Sequence, residues 1–252
     1  MARVALTLDP AEHLAAELGP CARPRFEPAQ VRAQLVGAGH ELVAEDAEVH
    51  VVDLAAPAAA RQAGAAPGPP LILVSLGRPR DPWHTIADAG DRQAFIEPWA
   101  ADLERRKRAA LPLRADAYAD SIADLLAAIE AVLRPAPDEL DAPALRYLGA
   151  VFNSAAVRPG TEFPFGAEPR TFVLGRGVTA DVSIPTAQLA RAHLQLAVGS
   201  RAELEVTDLG GTNGTWLREP EGEVVALRPG ARVRARAGAL LVPDGSFRFL
   251  VA

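Results

Sequence analysis

The stretch "AELEVTDLGGTNGT" (202–215) decides how the second half of the chain reads. Ala202, Leu204 and Val206 fall on one face and Glu203, Glu205 and Thr207 on the other. That is the period-two pattern of a strand with one side in a core. Asp208 and two glycines then end the alternation, and Asn213-Gly214 is a pair in which both residues tolerate positive φ, which predicts a tight hairpin. "HLQLAV" (193–198) and "SFRFLV" (246–251) alternate likewise. Short strands separated by regular turns predict a β-sandwich from about residue 145 onward.

The first half has a different grammar. "RVALTL" (3–8), "AEVHVVDL" (47–54) and "PPLILVSL" (69–76) are short apolar runs of the kind that form parallel strands covered on both faces. "QAFIEPW" (93–99) is a weaker strand candidate. "DPAEHLAAEL" (9–18) opens as a helix, with Asp9 as cap, Pro10 in the first turn and Glu12 at capping-box spacing. Residues 115–133 carry the clearest helical stripe, from Tyr118 and Ile122 through Leu125 and Ile129 to Leu133, stopped by Pro135 and Pro137. The expected fold is α/β plus all-β. An open parallel sheet occupies 1–112, a helical linker 113–143 and a sandwich 144–252.

Composition narrows the function. Of 252 residues, 49% are apolar, enough for real cores. Residues 1–143 carry 14 basic and 22 acidic side chains, a net −8, and residues 144–252 carry 12 and 10, a net +2. Neither half has the basic patch that nucleic acid requires. Cys21 is the only cysteine, so no internal disulfide forms, and no Cys/His cluster has metal-ligand spacing. No apolar run reaches the ~18 residues of a membrane span, and Asp9 and Glu12 stand where a signal peptide needs an apolar core. The expectation is a cytoplasmic protein without metal or cofactor. Lys107 is the single lysine against 25 arginines, which suggests a GC-rich bacterial genome.

Four pieces of the second half belong together: "VLGRG" (173–177), "ADVSIP" (180–185), "ARAH" (190–193) and "DLGGTNGT" (208–215). In order and spacing they resemble a forkhead-associated (FHA) domain, a β-sandwich that binds phosphothreonine peptides. "GTEFPFG" (160–166) and "LRPGARVRA" (227–235) fall where that family has a strand and a Leu-x-x-Gly-Asp turn, with Ala231 replacing the Asp. The chemistry is coherent by itself. A phosphate dianion offers three strong acceptor oxygens, so a reader needs fixed donors from several loops. Arg176 supplies a planar fork for two oxygens.

By resemblance, Arg176 is the principal phosphate contact, Asn213 holds the peptide backbone, and Thr212 adds a hydroxyl or backbone contact. Gly175, His193 and Gly214 are implied to be structural: backbone clearance, a loop brace and a positive-φ turn. Ala190 departs from the pattern, because the family has a serine there that donates to the phosphate. Arg191, the next residue, is the candidate to compensate. "GRGVTA" (175–180) superficially matches a dinucleotide fingerprint, but that motif must open a helix, and here a strand follows.

Residues 1–112 resemble, more faintly, a response-regulator receiver domain. Asp53 ends the third strand where a phospho-accepting aspartate sits, Ser75 ends the next, and "FIEPW" (95–99) stands where receivers have a Lys-Pro segment. The chemistry departs from the family. Thr7 and Leu8 occupy the positions of the two magnesium-holding acids, and Glu97 replaces the lysine or the lysine is deleted. An alternative alignment makes "ALPLR" (110–114) the last strand. Either way the resemblance implies a pseudo-receiver that docks a second protein partner.

Three functions remain. The first is a non-catalytic signalling adaptor that binds a phosphothreonine-containing partner, the substrate of a Ser/Thr kinase. The second is a phosphate-independent scaffold. The third is a response regulator phosphorylated on Asp53. No hydrolase or transferase motif is present: Ser75 lacks the Gly-x-Ser-x-Gly elbow.

Overall fold

The computed structural model describes residues 1–8, 28–53, 68–74, 115–136, 143–150, 157–166, 168–186, 189–199, 204–212 and 214–252. These fall into two compact units, one ending at Leu133 and the other starting at Arg134.

The first unit is built on a parallel sheet of five described strands: β1 (Arg3–Thr7), β2 (Glu41–Leu42), β3 (Val49–Asp53), β4 (Leu71–Val74) and β5 (Ala115–Ala119). Their order is β2-β1-β3-β4-β5. All four residues of β4 are buried, as the unbroken apolar run requires. Helix α1 (Pro28–Gly37) buries Val31 and Leu35, and Gly39, at φ +85°, turns the chain out of it. The helix expected over 9–18 and the strand expected over 93–99 lie outside the described residues.

The helix expected over 115–133 divides in two. Ala115–Ala119 is a strand beside β4, and helix α2 covers only Ile122–Leu133. The divider is Ser121, whose hydroxyl accepts the Asp124 amide at 3.1 Å and donates to the Asp124 carboxylate at 2.7 Å. This reciprocal cap starts the helix inside a stretch whose apolar spacing runs straight through. Upstream, Asp116 accepts the Leu71 amide at 2.7 Å and helps hold β5 to β4. Tyr118, read as the top of a helical stripe, is buried on the strand instead. Among the described residues the place beside β4, across from β3, therefore goes to Ala115–Ala119, which the sequence had assigned to the linker.

The second unit contains β6 (Ala144–Ala150), β7 (Glu162–Pro164), β8 (Arg170–Gly175), β9 (Val182–Ser183), β10 (Leu194–Val198), β11 (Leu204–Asp208), β12 (Thr215–Arg218), β13 (Val224–Leu227), β14 (Arg232–Ala235), β15 (Leu240–Pro243) and β16 (Phe247–Val251). They form two sheets, β14-β11-β10-β8-β9 and β13-β12-β15-β16-β6-β7. Leu196, Leu204 and Val206 from the first and Leu217, Phe247 and Phe249 from the second share one buried core. Tyr147 and Phe249 pack with ring centroids 5.3 Å apart. This is the sandwich that the alternation predicts.

Two local expectations fail. "TNGT" closes no hairpin between its flanking strands, because β11 and β12 lie in different sheets and the segment carries the chain from one to the other. The positive φ of Gly214, +74°, serves that crossing. Arg248, polar by alternation, is only 2% exposed, and its guanidinium donates to the carbonyls of Gly245 at 3.2 Å and Phe247 at 3.1 Å.

Candidate functional site

Strand register gathers the motif loops at one end of the sandwich. Leu194 of β10 is paired on one side with Leu174 of β8 and on the other with Asp208 of β11. At this row β8 is about to leave its sheet, β10 has just entered it, and β11 ends. The β8–β9, β9–β10 and β11–β12 connections therefore emerge side by side.

The first two are locked together by backbone. The Arg176 amide donates to Ala190 O at 2.9 Å, and the Gly177 amide donates to Arg191 O at 3.0 Å. Gly175 makes this approach possible: a Cβ there would lie 2.9 Å from Ala190 O and closer still to Arg191 O. Ile184 N–H donates back to Gly175 O at 2.9 Å, closing the loop that carries Arg176. Both Arg176 and Arg191 are exposed, and neither guanidinium has an acidic partner among the described residues.

His193 ties this pair to the third loop. It is 1% exposed, and its Nδ1 accepts the Ala190 amide at 3.2 Å, so the neutral ring must carry its proton on Nε2. Gly211 packs against the imidazole, where a Cβ would come within 2.7 Å of Nε2. Burial holds the His193 pKa below its usual 6.5, opposed by the negative charges of Asp208 and Asp244.

Asp208, fully buried, anchors the third loop. Its Oδ1 accepts the Gly210 amide at 2.6 Å and the Gly211 amide at 3.2 Å, and Gly214 N–H closes a turn onto Gly211 O at 3.1 Å. Thr212 is exposed on that turn. Asn213 lies outside the described residues, as do Ser75 and Glu97. Asp53 ends β3, buried. Three of the four residues expected to meet a ligand, Arg176, Arg191 and Thr212, thus stand exposed on loops that share one end. The sequence assigned no bracing role to Asp208 or Gly211. The signal for them was an aspartate two and three residues ahead of glycine amides, the spacing of a side-chain-closed turn.

Residues 172–235 match the family model of the FHA domain. The second unit carries an FHA domain. The match spans β8 to β14 and includes all three loops at the candidate end. Similar solved structures include an FHA domain from Arabidopsis thaliana, 23% identical, covering 44% of this chain and 84% of that one with a TM-score of 0.36. An FHA domain from Chlamydia trachomatis is 20% identical over 44% of this chain and 96% of its own, with a TM-score of 0.35. The N-terminal FHA domain of Rad53p from S. cerevisiae, solved with a phosphothreonine peptide, is 16% identical over 44% and 91%, with a TM-score of 0.33. The comparison with curated proteins gives no match.

Among the described residues, no helix is long and apolar enough to cross a membrane, and no group of three or more His, Cys, Asp or Glu side chains is arranged to hold a metal ion.

Proposed function

We propose that the chain is a non-catalytic signalling adaptor whose FHA domain binds phosphothreonine-bearing segments of partner proteins. One observation carries this reading. Arg176 and Arg191 sit on hydrogen-bonded neighbouring loops, exposed and without an acidic partner among the described residues. Two guanidinium forks held by fixed backbone suit an anion with three acceptor oxygens. In this reading Arg176 makes the main phosphate contact, Arg191 a second, Thr212 adds a hydroxyl, and Asn213 holds the peptide backbone.

The first unit is read as a pseudo-receiver that docks a second protein partner. Its β2-β1-β3-β4-β5 order supports a flavodoxin-like arrangement, and we take it to extend to Leu133, where the compact unit ends. Phosphorylation of Asp53 is not part of the proposal, since Thr7 and Leu8 stand where receivers hold magnesium with carboxylates.

One observation favours a second reading, a scaffold with phosphate-independent contacts: Ala190 puts a methyl group where the family pattern has a hydroxyl. A phosphopeptide array probed with the full chain and with Arg176→Ala separates the two. Phospho-dependent spots that vanish with the variant support the adaptor. Equal binding of phosphorylated and unphosphorylated peptides supports the scaffold.

A further inference from the structure

Four strands form the edges of the two sheets of the sandwich: β14 and β9 in one, β13 and β7 in the other. An edge strand offers unpaired backbone groups to other chains, and folded proteins blunt it with charge, proline or shortness. Three of these edges are blunted. β14 carries Arg232 and Arg234, β7 carries Glu162 and Pro164, and β9 is only two residues long. β13 is not: it reads Val-Val-Ala-Leu, and its first three residues are exposed. Val224 is 54% and Val225 37% exposed, the only exposed large apolar side chains on the sandwich strands among the described residues.

Register fixes which backbone groups of β13 face away from its sheet. Glu219 N–H donates to Glu223 O at 2.8 Å, and β12 continues the same register with Leu217 opposite Val225. Hydrogen-bonded pairs alternate along an antiparallel ladder, so Glu223, Val225 and Leu227 turn their backbone groups toward β12. Val224 and Ala226 turn theirs outward. Beyond Leu227 the strand ends at Arg228, where Ala231 N–H closes a turn onto Arg228 O at 2.9 Å and Gly230 N–H fastens it to Asp208 O at 2.8 Å. Acids precede the strand, Glu221 and Glu223, and a base, Arg228, follows it. Glu221 pairs with Arg236 at 3.1 Å, whereas Glu223 and Arg228 are exposed and have no oppositely charged partner among the described residues.

We infer that β13 is an interaction edge that pairs antiparallel with the β13 of a second copy of this chain. One register lets the outward groups of both copies bond each other: Val224 stands opposite Ala226 of the second copy, Ala226 opposite its Val224, and the two Val225 side chains meet at the dyad. The same register sets Arg228 opposite Gly222 of the second copy, flanked by that copy's Glu221 and Glu223. The uncompensated acid and base of one copy thus meet the base and acid of the other. A parallel pairing would set acid beside acid and base beside base. This self-complementary charge pattern is what selects a second copy over an unrelated strand, and a two-fold contact of this kind closes as a dimer. The inference does not depend on what the loop end of the sandwich binds.

Sedimentation velocity of the full chain over about a hundredfold range of concentration tests this, since a dimer in exchange follows mass action. Wild type is expected to pass from monomer to dimer across that range. Ala226→Pro removes an outward N–H and no bond to β12, and Val224→Lys puts a charge where blunted edges carry one. Each should leave the chain monomeric with its far-UV circular dichroism unchanged. Arg228→Glu should raise the dimer dissociation constant about fivefold or more, because attraction at two exposed contacts becomes repulsion. Adding Glu223→Arg to Arg228→Glu should bring the constant back toward the wild-type value. A wild type that stays monomeric throughout overturns the inference. So does a dimer that survives both Ala226→Pro and Val224→Lys, because its interface then lies elsewhere. A charge swap without recovery also overturns it, and would assign the edge to another segment or another protein.

Discussion

The amide of Arg176 donates to the carbonyl of Ala190 at 2.9 Å, so the residue with the exposed fork is positioned by a residue that itself departs from the expected motif. Ala190 is used at both backbone ends, because its own amide donates to His193 Nδ1 at 3.2 Å. Backbone hydrogen bonds need no particular side chain. The substitution therefore leaves the loop scaffold intact and changes only what the position offers to a ligand.

Ala190→Ser restores a donor without altering that scaffold. A hydrogen bond to a charged group contributes about 1.5–3 kcal/mol, so phosphopeptide affinity should rise roughly ten- to a hundredfold. Titration calorimetry of both forms measures it. Unchanged or weaker affinity would show that the hydroxyl does not face the ligand.

Gly175→Ala forces a methyl group against the carbonyl oxygens of Arg191 and Ala190, which are backbone and cannot swing aside. Such overpacking costs about 1–3 kcal/mol, so the thermal midpoint should fall and phosphopeptide binding weaken with it. Gly37→Ala is the comparison, since nothing lies within 4 Å of a Cβ there. A Gly175→Ala protein with wild-type stability and affinity would mean the two loops are not in contact in solution.

Acid should loosen the site through His193. Burial holds its folded pKa below 6.5, so between 6.5 and the folded value the unfolded chain binds the extra proton. The stability this imidazole contributes is present above pH 6.5 and is lost as pH falls through the folded value. Protonation also removes the acceptor for the Ala190 amide. Urea unfolding from pH 8 to pH 5 should show a steeper loss for wild type than for His193→Gln. Parallel slopes would refute the assignment.

How much of this was legible in the chain follows physical range. Alternation over 202–207 and the apolar runs at 49–53 and 71–74 are local signals, and the strands they predict are present at Leu204–Asp208, Val49–Asp53 and Leu71–Val74. The stripe over 115–133 misled because Tyr118 satisfies helical spacing from a neighbouring strand, and periodicity does not see the Ser121 cap that separates the two. The Asn-Gly pair marks a turn but not the sheets it joins, since sheet membership depends on partners far away in sequence.

By itself, the sequence determined the strand periods, the separation into an α/β half and a β half, and the guanidiniums and glycines available to meet an anion. Tertiary structure alone decided which of them meet. Pairing of Leu174, Leu194 and Asp208 in one row sets three connections side by side, and Asp208 adds the turn that starts at Arg228. The reason is geometric: a residue's type is written locally, but the end of a sandwich is assembled by hydrogen-bond register between strands well separated along the chain.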